Sequence, residues 1–142
     1  MIAQIFTCSE LLNRLMSPEN HINKVYEVLL KHDLCGNETE LFQHGIQLKE
    51  RGGERFVQCK PAVFVPTSSR GGQITLVEGK YHQIRRMFAA LGNRVTELHR
   101  IQIGNIHISS SYLKDKCSAE GGFCLLKDCE IKRLWNHNLN TN

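Results

Sequence analysis

The chain has 142 residues, of which 41% are hydrophobic and 23% charged, with a formal net charge of +4. That length and balance suit one folded domain with a real core and exclude a disordered or low-complexity chain. The mild positive charge permits a polyanion partner without requiring one.

The apolar start, Met1 to Phe6, is too short for a membrane span and lacks the basic flank of an export signal. LLNRL (Leu11 to Leu15) follows, and Ser17-Pro18 ends any helix there, because proline disfavours helical geometry in the residue before it. Lys24 to Leu30, KVYEVLL, is rich in β-branched and aromatic residues and reads as a strand. Alternation sets Tyr26, Val28 and Leu30 on one face and Val25 and Leu29 on the other, so a strand covered on both sides is expected. Asn37 to Gly45 reads as a helix with Thr39 as its cap, and KERGGER (Lys49 to Arg55) as a charged surface loop. Cys59 to Thr67 and Gln73 to Glu78 read as a hairpin joined across SSRGG.

Glu78 to Gly104 is the most informative stretch. A Gly79-Lys80 loop opens a helix whose Ile84, Met87, Phe88 and Leu91 recur on one face. Gly92 stands where a left-handed C-terminal cap belongs, and a basic strand then runs to Gly104. At about 100° per residue, Arg85 falls at the edge of the apolar stripe, while Arg86 and His82 fall on the wet face. Arg85 is therefore expected to be half-buried and to need an anion, a carboxylate or a phosphate. His82 reads as a structural or solvent-facing residue. Asn105 to Ile108 is a short strand, Ser109 to Gly122 is polar and turn-rich, Phe123 to Leu126 is a short apolar run, and Asp128 to Trp135 is a last helix. The pattern predicts a single α+β domain over residues 1–142, with a mixed, mainly antiparallel sheet and flanking helices.

Six cysteines are scattered without a CxxC pair, which points to reduced thiols inside a cell. Cys117, Cys124 and Cys129 with His107 or His137 match no standard zinc spacing, so no metal is expected.

Five segments carry a resemblance: LLNRLMSP (Leu11 to Pro18), KVYEV (Lys24 to Val28), HGIQL (His44 to Leu48), KPAV (Lys60 to Val63) and EGKYHQIRRMFAALGNRVTELHRIQIGNI (Glu78 to Ile106). In this order they resemble the bacterial pseudouridine synthases of the RsuA/RluB type, and KPAV and HGIQL point to the branch acting on small-subunit ribosomal RNA. The resemblance implies a cofactor-free reaction in the cytoplasm or in an organelle of bacterial type, with ribosomal RNA as partner and no membrane. An aspartate attacks the target uridine, the glycosidic bond breaks, and the base turns and rejoins through carbon. Tyr26 matches the family tyrosine that stacks on the uracil and helps remove its proton. Arg85 matches the residue that pairs with the catalytic aspartate. Lys24, Lys80, Arg86 and Arg100 would contact backbone phosphates.

The departures are equally specific. The family's nucleophile lies in a GRLD-type motif, which is absent here; the chain's three aspartates are Asp33, Asp115 and Asp128. The small S4 RNA-binding domain is absent too. In GGFCLL (Gly121 to Leu126), Gly122 and Cys124 replace an acid and an arginine of the family pattern, and Ser109 to Glu120 looks like an insertion. Three readings stand open. The chain is the C-terminal part of a catalytic domain, inactive alone and completed by an upstream-encoded fragment carrying the aspartate. Alternatively it is a non-catalytic RNA-binding remnant of that family. The third reading is a metal- or redox-linked domain.

Overall fold

A computed structural model describes residues 9–50, 52–109 and 125–133. Strand β1, Lys24–Leu30, has the bounds its composition predicts and lies in the middle of a five-stranded sheet ordered β4-β5-β1-β6-β7. Its neighbours are β5, Gly71–Leu76, and β6, Val95–Ile103, while β4, Val63–Ser68, and β7, Ile106–His107, complete the sheet. Every pairing in it is antiparallel. The α+β class therefore holds, and the sheet is antiparallel throughout the described residues rather than mixed.

The β4-β5 turn is tighter than SSRGG suggests, because Gly71 and Gly72 belong to the strand. A Cβ at Gly72 would lie 2.5 Å from the Val65 carbonyl oxygen and 2.7 Å from the Phe64 ring, so only glycine allows this approach. Two register shifts interrupt the β1-β6 ladder, one between Val25 and Tyr26 and one between Leu29 and Leu30. At the first, Tyr26 pairs with Arg100 and Ile101 is the surplus residue; at the second, Thr96 is surplus, and its hydroxyl donates to the Leu29 carbonyl at 3.0 Å.

Helices α2, Glu38–His44, and α3, Gln83–Ala90, supply Phe42, Ile84, Met87 and Phe88 to a core shared with Val28, Leu30, Phe64, Ile74 and Leu76 of the sheet. Phe42, Phe64 and Phe88 meet edge to face at its centre, with ring centroids 5.0 to 5.8 Å apart. Such pairs contribute about 0.5–1.5 kcal/mol each beyond their burial. Only one face of β1 is covered. Leu29 is 41% exposed, and Val63 and Val65 of β4 are 60% and 54% exposed, so the expectation of a doubly covered strand is corrected. A run apolar on both faces does not by itself bring a second layer.

Thr39 does not cap α2; its hydroxyl donates to the Phe64 carbonyl at 3.0 Å, tying the helix to β4. The buried Glu38 carboxylate instead accepts from the Cys35 and Gly36 amides at 2.6 and 2.9 Å. The charged KERGGER stretch is not a plain loop, because β2, Gln47–Lys49, and β3, Phe56–Gln58, flank it as a two-stranded ladder. Helix α1 spans Ser9–Met16, and the Ser17 hydroxyl caps the 3-10 turn Pro18–Asn20 that follows. Helix α4 spans Asp128–Arg133. The expectations for Met1 to Phe6, for most of Ser109 to Leu126 and for Trp135 lie outside the described residues. No helix among the described residues is long and apolar enough to cross a membrane.

Phe88 is wholly buried within the aromatic triad. Phe88→Ala is expected to cost about 3–5 kcal/mol of unfolding free energy, read as a lowered midpoint in urea at unchanged slope.

Candidate active site

The Gly79-Lys80 loop takes its shape from a buried carboxylate. Glu78 lies just past the end of β5 and is only 4% exposed. One of its oxygens accepts from the Lys60 amide at 2.9 Å and from the Gln83 side-chain amide at 2.6 Å, and the other pairs with the Lys80 ammonium. Gln83, also buried, closes the ring by accepting from the Lys80 amide at 2.8 Å. Burial alone would raise the Glu78 carboxyl, but the Lys80, Lys60 and Gln83 donors outweigh it and hold the group below its usual range. This network positions the first turn of α3.

Beside it a cleft of about 180 Å³ opens, lined by Tyr26, Lys80, His82, Gln83 and Arg85, with Leu76, Ile84 and Leu98 as its apolar part. Tyr26 and Arg85, far apart in sequence, thus reach the same opening. Tyr26 is half-buried on β1 between Ile74 and Arg100, against the edge of the core. The two neighbouring arginines exchange the environments expected of them. Arg85 is exposed, and its Nη1 donates to the Val95 carbonyl at 2.8 Å. Arg86 is half-buried, donating to the Tyr81 carbonyl at 3.3 Å and to the Lys49 carbonyl. The reason is tertiary: β2 packs against α3 on the side of Arg86, a neighbour that helical phase alone does not reveal.

The other basic residues are less open than a solvated RNA face would make them. Lys24 is 2% exposed, with its Nζ donating to the Ile22 carbonyl at 3.2 Å. Burial first, and the nearby positive charge of Arg100 second, push its ammonium below the ordinary lysine value. Lys80 and Arg100 are half-buried. His82 is exposed as expected, but it also lines the cleft, holds a left-handed backbone at φ 47°, and stacks on Tyr81 with ring centroids 3.9 Å apart. Sequence reasoning missed Glu78 and Gln83. A lone acid directly before a Gly-Lys turn, with a glutamine five residues on, was the available sign.

Among the aspartates, Asp33 is exposed and held by Arg70 at 2.8 Å, and neither it nor Asp128 lines the cleft. Asp115, Gly122, Cys117, Cys124 and His137 lie outside the described residues. A wider hollow of about 350 Å³ lies on the opposite face of the sheet, bordered by Glu27, Gln73, Glu97 and His99. Its two carboxylates repel a phosphate chain, whereas the smaller cleft is bordered by cations.

No family model matches the chain. It is 42% identical over 94 residues to a ribosomal small subunit pseudouridine synthase A of Yersinia pestis, covering 66% of this chain and 38% of that protein. It is 37% identical over 123 residues to the protein of the same name from Vibrio cholerae, covering 87% and 49%. A solved structure described as a pseudouridylate synthase superposes with a TM-score of 0.73 at 35% identity, covering 88% of this chain and 50% of that one. The chain thus spans about half or less of the length of these relatives.

Because Glu78 is held below its usual value of 4.5, the stability it contributes is full above that pH and is lost as pH falls through the lower folded-state value. Glu78→Gln is expected to lower stability at pH 7 by about 1–3 kcal/mol. In urea unfolding across a pH series, the gap to the native chain is expected to close in acid.

Proposed function

Because this chain belongs to the RsuA-type pseudouridine synthase family, we propose that its cleft receives a uridine of ribosomal RNA for isomerisation to pseudouridine. The observation that carries this reading is the meeting of Tyr26 and Arg85, from β1 and α3, at one opening lined by Lys80. A half-buried phenol with an apolar surround suits a planar uracil, and an exposed guanidinium bonded so far to a neutral carbonyl has capacity left for a carboxylate. Tyr26 stacks on the base and assists removal of its C5 proton. Arg85 receives the attacking aspartate, which comes from a segment other than these 142 residues, such as an upstream-encoded fragment.

In the reaction the carboxylate bonds to the sugar as the N1 glycosidic bond breaks, the uracil turns, C5 bonds to the sugar as the carboxylate leaves, and C5 then loses a proton while N1 gains one. Nothing is gained or lost overall, so the chemistry calls for no cofactor. The uridine must first leave its stack, at a cost of a few kcal/mol that contacts in the cleft offset. Lys80 and Arg100 are the phosphate contacts this structure favours among the four basic residues, while burial of Lys24 and the backbone bonds of Arg86 favour structural roles.

Release of label from uracil C5 in small-subunit ribosomal RNA tests the reading, with the chain alone and mixed with a fragment carrying a GRLD motif. Turnover is expected only in the mixture, and Arg85→Ala or Tyr26→Phe should abolish it. RNA binding without turnover in every combination would favour the non-catalytic remnant instead. Binding itself should weaken as salt rises, through counterion release, and Lys80→Ala and Arg100→Ala should each flatten the log-log slope by about one. A salt-independent affinity would remove the RNA groove altogether.

A further inference from the structure

We propose that Tyr81 is a stacking platform for a second nucleobase, the one adjoining the uridine in the RNA strand; this rests on the uridine reading of the neighbouring cleft. Tyr81 is a large aromatic residue left 58% exposed, although it directly follows the loop that builds the cleft. Its ring lies on that of His82, 3.9 Å between centroids and 16° from parallel. His82 itself lines the cleft, so the stacked pair forms part of its rim.

The main chain that carries the pair is anchored. Arg86, which also bonds the Lys49 carbonyl, donates to the Tyr81 carbonyl at 3.3 Å and ties the platform to β2. A water-exposed ring beside a cation is the arrangement that single-stranded RNA uses, because every base offers a π-face while Lys80 attracts the intervening phosphate. A strand whose uridine has turned into the cleft leaves the next base without its stacking neighbour. Tyr81 replaces that lost surface, which lowers the cost of taking the uridine out and fixes which side of it the strand follows.

The experiment uses short RNA hairpins with a uridine-bearing loop, in which the fluorescent base aminopurine, or an abasic sugar, replaces each loop position in turn. With the native chain, one position adjoining the uridine should show quenching on binding, and the abasic change there should weaken affinity roughly ten-fold. Tyr81→Ala should abolish both effects, and Tyr81→Trp should restore them. Quenching and abasic sensitivity that survive Tyr81→Ala, while Tyr26→Ala still weakens binding, would overturn the platform and leave the uridine cleft standing. Absence of binding by the native chain to any hairpin would overturn both. Equal losses at every loop position in Tyr81→Ala would mark a structural role and also overturn it.

Discussion

The site depends on one buried carboxylate. Glu78 leaves the sheet at the point where β5 gives way to the loop before α3, and its three donors come from Lys60, Lys80 and Gln83. Burying that charge is tolerable only because each donor meets it at short range. The same bonds fix where α3 begins, and so where His82 and Arg85 stand relative to Tyr26 on β1. Lys80 both neutralises the acid and borders the cleft.

Much of the frame was legible from local chemistry. The run KVYEVLL became β1 at its predicted bounds, and Gly92, with φ 77°, ends the helix as a left-handed cap. The pairing of Tyr26 with Arg85 at one opening was likewise anticipated from their motifs. What escaped were features set by distant neighbours. Val25 and Leu29 face away from the core because α2 and α3 both lie on the other side of the sheet. Arg86 is sheltered because a ladder hidden in a charged stretch packs beside it. Lys24 looked like a surface cation at the start of a strand, yet its stem is enclosed and its ammonium donates to the Ile22 carbonyl.

The two sides of the sheet divide the labour. On the inner side, the apolar core grades into a cleft bordered by cations; on the outer side, Val63, Val65 and Leu29 share the surface with Glu27 and Glu97. Ion pairs at the surface add little to this division. Arg70 and Asp33, for instance, are each more than half exposed, and solvent screens such a pair. The polarity of the sheet therefore comes from where charges sit, not from how they are paired.

The surplus residue in β6 gives that placement its means. Strict alternation would seat Ile101 across from Tyr26 and turn Arg100 outward to the side of Glu27. The bulge instead makes the half-buried Arg100 the backbone partner of Tyr26 and leaves the buried Ile101 as the unpaired extra residue. Were the ladder straight, no side chain would change its identity, yet Tyr26 would pair with Ile101 and Glu27 with Arg100. Which residue stands opposite the tyrosine of the cleft is thus written in the spacing of the backbone, where a comparison of residue types alone would not find it.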